Sequence, residues 1–154
     1  MIEPSLSLYL HIPFCKHRCA YCDFNTYTSL LDLREAYADG LVTEMAQVAG
    51  GVRRPVHTIF FGGGTPSLMS PASLGRILDG VRTHFQLAAN AEVTMEANPG
   101  TVDLDYLTAV RQTGINRISF GVQSVIQSEL ALLEREHDFA TVVEAVALAR
   151  QAGL

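Results

Sequence analysis

Three cysteines stand close together near the start of the chain, in the run Cys15-Lys-His-Arg-Cys19-Ala-Tyr-Cys22, spaced Cys-x3-Cys-x2-Cys. The 154 residues hold 3 cysteines in all. An odd number set so tightly is not a disulfide framework. Thiolates are the soft ligands that select iron–sulfur clusters or zinc. Three of them can hold three corners of a cubane cluster and leave the fourth iron open. At a metal centre an open coordination position means chemistry, and a closed one means scaffolding. The bland alternative is a structural zinc completed by His11 or His17. The usual zinc pattern repeats its cysteine pair in a second knuckle, which this chain lacks.

The elements that must carry this loop read as four strand-then-helix units. Short runs rich in Ile, Val, Phe, Tyr or Thr predict buried strands over Ser7 to Phe14, Val56 to Phe61, Ala91 to Met95 and Arg117 to Val122. Between them, Leu31 to Val48 predicts a helix stopped by Gly50-Gly51. Ser70-Pro71 predicts an N-cap with proline at the first helical position, for a helix reaching about Phe85. Asp103 to Thr113 predicts a third helix, with Leu104, Leu107 and Val110 on one face and Gly114 at its end. Ser124-Val-Ile-Gln127 reads as a capping box opening a short helix. Asp138 caps a last helix through Ala152, closed by Gly153. Alternation of this kind implies an α/β fold of parallel strands, whose reactive residues gather at the strands' carboxyl ends. Cys15, Gly62 to Gly64, Glu96 and Gln123 each follow directly after an apolar run, so four strands deliver unusual residues to one end of one sheet.

Composition sets the outer bounds. Hydrophobic residues make up 48% and charged residues 18% of the chain, an ordinary globular mix suited to one domain. The net charge is −5 with no basic block, so nucleic acid is not an expected partner. No apolar run approaches the ~20 residues that span a bilayer. The opening Met-Ile-Glu-Pro-Ser lacks a secretion signal. Clustered free thiols suit the reducing cytoplasm. Near the end, Arg150-Gln-Ala-Gly153-Leu154 repeats the pattern of Arg111-Gln-Thr-Gly114-Ile115, which leads into the fourth strand. The repeat predicts a further strand where the sequence stops, because four parallel strands cannot close a barrel. An open four-stranded sheet that ends on a helix is the plainer alternative.

Several blocks together resemble the radical SAM superfamily, and within it the oxygen-independent coproporphyrinogen oxidase group, which includes haem chaperones. They are the cysteine loop itself, Tyr9-Leu-His11-Ile-Pro13-Phe14-Cys15, Phe61-Gly-Gly-Gly-Thr65-Pro66-Ser67, Glu96-Ala-Asn98-Pro99, Phe120-Gly-Val-Gln123-Ser124 and Arg135-Glu-His137. The resemblance covers nearly the whole chain. It implies a partial (β/α) barrel, with four βα units present of an expected six and a C-terminal domain absent. It implies a 4Fe-4S cluster on Cys15, Cys19 and Cys22, and S-adenosylmethionine (SAM) chelated to the open iron through its amino and carboxylate groups. An electron from the cluster then splits SAM into methionine and a 5′-deoxyadenosyl radical.

The glycines of Gly62 to Gly64 let a backbone approach a ligand closely. By resemblance this stretch meets the amino group of the SAM methionine, with Gly63, Gly64 and Thr65 as contacts. An acid closing an apolar run is either exposed at the barrel mouth or paired with a cation, and Glu96 by resemblance helps hold SAM. Gln123 both donates and accepts, and matches a glutamine at the SAM ribose. Arg135 can clamp a carboxylate in bidentate fashion and matches a family arginine; taken alone it reads as a solvated helix charge. Tyr9 and Tyr21 match positions near SAM, the second as an aromatic against adenine. His11, His57, His84 and His137 are scattered without metal spacing and read as structural or surface residues. His17, inside the cysteine loop, is expected to face solvent.

Two activities occur in that group. One is oxidative decarboxylation of coproporphyrinogen III to protoporphyrinogen IX. The other is binding of haem and its delivery to respiratory proteins. After Cys22 this chain reads Asp23-Phe24-Asn25, the form typical of the chaperones, whereas the oxidases carry a further cysteine where Phe24 stands. Only 14 residues precede Cys15, which also suits the chaperones. The resemblance therefore favours a haem chaperone, with a porphyrinogen oxidase and an inert cluster-binding fragment as alternatives. It implies a flavodoxin-type electron donor and haem-accepting respiratory proteins as partners. The chaperones' haem-binding histidine motif lies in a C-terminal region that this sequence does not contain.

Overall fold

The computed structural model describes residues 5–52 and 54–154. Residues 1–4, most of the stretch read above as lacking a secretion signal, lie outside the described residues. The strands are β1 (Leu6–Ile12), β2 (Val56–Gly63), β3 (Leu87–Ala97) and β4 (Arg117–Phe120). All neighbours are parallel, in the order β1-β2-β3-β4. The α-helices are α1 (Arg34–Val48), α2 (Pro71–His84), α3 (Leu104–Thr113), α4 (Gln127–Leu132) and α5 (Phe139–Gln151). A parallel sheet whose strands follow one another in sequence order is the arrangement of a barrel segment, as expected for this α/β class.

Register explains where the core lies. Leu10 pairs with Phe61, Phe61 with Met95, and Met95 with Ile118. Side chains on neighbouring strands in register share a face, so this row meets the helices, and Leu10, Phe61 and Met95 are buried. Each such side chain taken from water contributes about 1.5–3 kcal/mol. On those helices Leu74, Ile77, Leu78, Val81 and Val110 join the same core. The neighbouring row, Tyr9, Phe60, Thr94 and Arg117, lies on the other face. There the Thr58 hydroxyl donates to Ser7 Oγ at 2.8 Å and Arg117 Nη1 donates to Thr94 Oγ1 at 3.2 Å. No helix among the described residues is long and apolar enough to cross a membrane.

The caps at Ser70 and Asp138 form as expected, and Asp103, read as the first residue of the third helix, is its cap. Each side chain accepts the backbone N–H three residues on, from Ser73, Tyr106 and Thr141. Gly114 and Gly153 both take a left-handed backbone, at φ 113° and 82°, and Arg111 Nε donates to the Gly153 carbonyl at 3.1 Å. The sequence repeat is thus also a repeat of backbone geometry.

Several expectations differ in detail: β2 runs on past Phe61 to Gly63, and β4 ends at Phe120, not Val122. β1 ends at Ile12, not Phe14. Pro13 brings no N–H to a ladder, and Phe14 leaves the sheet to form an isolated bridge with Tyr27. β3 begins at Leu87, four residues before Ala91, after an irregularity between Val56 and Thr58 that lets Val56 pair with Leu87. The turn Leu31–Leu33 is a 3-10 helix ahead of α1. The capping box at Ser124 does not form: the residue before α4 is Ile126, with no side-chain cap. Ser124 Oγ accepts from Ile126 N at 3.0 Å and donates to Glu129 instead.

Candidate functional site

The cysteine loop leaves β1 at Pro13 and is closed at its neck. Tyr27 N donates to Pro13 O at 2.7 Å, and Cys15 N donates to Tyr27 O at 3.1 Å. Inside the loop, Cys22 N donates to Cys19 O at 3.0 Å, a turn that holds the second and third cysteines near each other. His11 Nε2 bonds the Asn25 carbonyl at 2.9 Å, pinning the far limb of the loop to β1. All three cysteines are free thiols; Cys15 is buried, and Cys19 and Cys22 are half-buried.

The turns after β2, β3 and β4 supply the other walls. Cys15, Cys19, Cys22, Tyr21, Gly63, Gly64, Thr65, Glu96, Gln123 and Arg135 line one cavity of about 440 Å³. The residues singled out in the sequence therefore converge, with one exception. Tyr9 does not line the cavity: it lies 58% exposed on the sheet, with its ring 6.1 Å from that of Phe60 and its hydroxyl 3.1 Å from His11 Nδ1.

The bare glycines have a packing reason. A Cβ on Gly64 would sit 2.6 Å from Phe14 O and 2.9 Å from Ile12 O. Gly63 has φ +112°, and a Cβ there would fall 2.5 Å from the His11 ring. Gly64 N donates to Ile12 O and Thr65 N to Phe14 O, both at 2.7 Å. The glycine turn thus seats the root of the cysteine loop as well as lining the cavity. Gly63 N donates to Glu96 Oε2 at 3.3 Å. Burial pushes the Glu96 carboxyl up from its ordinary value, and the Gly63 hydrogen bond only partly opposes it. Gln123 holds a left-handed backbone at φ 69°, uncommon outside glycine.

A polar chain joins two of the thiols. Thr65 Oγ1 donates to Cys15 Sγ at 3.6 Å and accepts from Asn98 Nδ2 at 3.4 Å. Asn98 Oδ1 accepts from Arg135 Nη2 at 2.6 Å, and Arg135 Nη1 donates to Cys19 Sγ at 3.3 Å. Arg135 Nη2 also donates to the Gly121 carbonyl at 2.8 Å. Arg135 stands in the loop between α4 and α5, half-buried, and is not the solvated helix charge that the residue alone suggests. Its Nε is buried without a hydrogen-bond partner. Sequence reasoning missed the linking role of Asn98. The available signal was its place two residues after Glu96, at the same strand end. Burial pushes the Cys15 thiol up, opposed chiefly by the Thr65 hydroxyl.

The donor set also bears on which metal group fits. His11 Nε2 is held by the Asn25 carbonyl, and His17, 45% exposed, bonds Glu134 Oε2 at 3.2 Å. The two histidines that could complete a zinc site are therefore engaged elsewhere. Among the described residues no three His, Cys, Asp or Glu side chains converge as on a single metal ion. Three free thiols around a roomy cavity, with a half-buried acid and an unpartnered buried guanidinium nitrogen on its walls, suit a larger body and an adjoining polar ligand. His137, buried, spends Nε2 on the Val122 carbonyl at 3.0 Å and so fastens the turn after β4.

Residues 9–154 match the Radical SAM superfamily, and the chain belongs to that superfamily. It is 46% identical over 153 residues to the heme chaperone HemW of Escherichia coli (strain K12), covering 98% of this chain and 40% of that protein. It is 39% identical over 157 residues to the heme chaperone HemW of Haemophilus influenzae, covering 98% of this chain and 41% of that protein. The chain thus spans about two fifths of these relatives. The solved structure of coproporphyrinogen III oxidase (HemN) from Escherichia coli, described as a radical SAM enzyme, superposes with a TM-score of 0.88 at 35% identity, covering 98% of this chain and 35% of that one.

Proposed function

We propose that this chain holds a 4Fe-4S cluster on Cys15, Cys19 and Cys22, with SAM beside it, within a cytoplasmic protein that binds haem and passes it to respiratory proteins. One observation carries the reading: three free thiols of a single loop line the same cavity as the ends of β2 and β3 and the turn after β4. When bound, the cluster supplies an electron for cleaving the SAM sulfonium.

The chain's own residues bind and orient. Glu96, a half-buried acid whose hydrogen-bond partner here is one backbone N–H, suits the cationic amino group of SAM. Gly63, Gly64 and Thr65 form the wall nearest Glu96 and Cys15. Gln123 offers an amide to the ribose, and Tyr21 offers an aromatic face to adenine. Arg135 keeps Nε and the second N–H of Nη1 to donate to a carboxylate oxygen, whereas both N–H groups of Nη2 are already engaged. The chaperone reading is supported by Phe24, which lines the cavity where the oxidases carry a further cysteine, and by 46% identity to the Escherichia coli HemW against 35% to the Escherichia coli HemN. The close superposition on HemN keeps porphyrinogen oxidation as the second reading.

The test is anaerobic reconstitution with iron and sulfide. We expect about four irons per chain and a brown chromophore, both lost in Cys19→Ala. With SAM and a strong reductant, 5′-deoxyadenosine forms, and more slowly in Gln123→Ala. The full gene product binds haem and leaves coproporphyrinogen III unchanged. A colourless, iron-free wild type rejects the cluster, and turnover of the porphyrinogen moves the assignment to the oxidase.

A further inference from the structure

We infer that Arg135 sets the reduction potential of the cluster by donating a hydrogen bond from Nη1 to the Cys19 sulfur. The inference rests on the cluster reading above and gives Arg135 a role besides contact with SAM.

The geometry is specific to sulfur. Nη1 reaches Cys19 Sγ at 3.3 Å, while Nη2 is anchored on Asn98 Oδ1 at 2.6 Å and on the Gly121 carbonyl at 2.8 Å. Those two acceptors follow directly after β3 and β4, so the strand ends fix the plane of the guanidinium. A carboxylate clamped in bidentate fashion needs two free N–H groups on one edge of the fork. Here Nη2 already serves two acceptors, and the spare donors, Nε and the second N–H of Nη1, do not share one edge. The arginine is therefore committed to the thiol side of the cavity before any ligand arrives.

The electrostatic consequence follows from charge alone. Arginine stays protonated at all working pH values. A reduced cluster and its thiolates carry one more negative charge than the oxidised form. A fixed cation donating to a ligating sulfur favours the more negative form, and hydrogen bonds to sulfur and net charge are among the levers that set such potentials. The site is half-buried, so the interaction is less screened than between exposed charges. Removing the donor lowers the potential and makes the cluster harder to reduce.

The experiment is a dye-mediated potentiometric titration of the reconstituted chain, followed by the EPR signal of the reduced cluster. Wild type, Arg135→Gln and Arg135→Lys are compared at matched iron content and circular dichroism. In Arg135→Gln we expect a tenfold shift toward the oxidised form at fixed potential, which is a midpoint about 59 mV lower for one electron. Arg135→Lys, which keeps the charge and loses the fork, falls between the two. Equal midpoints in all three proteins overturn the inference and leave the cluster reading intact. A wild type that takes up no cluster overturns both. A folded Arg135→Lys that loads no iron also overturns it, because the arginine would then be needed to hold the cluster and not to tune it.

Discussion

At the scale of single residues, the cavity is governed by what its polar groups already spend on one another. Glu96 shows this through pH. Burial raises its carboxyl above the ordinary range, so the folded chain keeps that proton to a higher pH than the unfolded chain does. The stability Glu96 contributes is complete below about pH 4.3, the unfolded value. It is lost as pH rises through the raised folded value. Glu96→Gln should therefore be more stable than the parent near neutral pH, with the difference vanishing in acid. Urea midpoints at the two pH values check this, and a gap that stays constant rejects it. The cysteines were legible because three ligands in one short run advertise themselves. The Asn98–Arg135 bond was not, because 37 residues separate partners that meet only when two loops fold against each other.

At the scale of elements, strand periodicity and helix caps could be read locally. Ser70 and Asp138 need only their own first turn to act. The early start of β3 was hidden because Leu87-Ala-Ala-Asn90 has no β-branched residue. Its pairing with Val56 is a tertiary effect. The Ser124 expectation failed because the left-handed Gln123 turns the chain first, and Val125-Ile126 stay outside the helix. Glycines likewise differ by the element that holds them. Gly64→Ala just after β2 would press a Cβ into the backbone of Ile12 and Phe14 and should cost about 1–3 kcal/mol. Gly40→Ala, exposed within α1 with nothing within 4 Å, should gain about 0.5–1 kcal/mol. Chemical denaturation of the two variants checks both signs, and similar effects at both positions would show that the close approach at Gly64 is not felt.

At the scale of the whole molecule, four separate connections meet at one end of the sheet, so a ligand bound there touches every unit of the fold. Cluster-loaded chain with SAM at a hundredfold excess over its dissociation constant should gain about 2.7 kcal/mol of unfolding free energy. Cys19→Ala should gain nothing from the same addition. Thermal melts with and without SAM make the comparison, and an equal gain in both proteins would place SAM away from the cluster loop.

The latch on the cysteine loop has a consequence for the order of synthesis. His17 is held by Glu134, and Cys19 by Arg135, across sequence separations of 117 and 116 residues. A ribosome makes the thiols more than a hundred residues before it releases their fasteners. Until then the nascent loop is tied only through Tyr27, Asn25 and, once they are made, Gly64 and Thr65, and iron delivered to it early would meet a pocket still missing one wall.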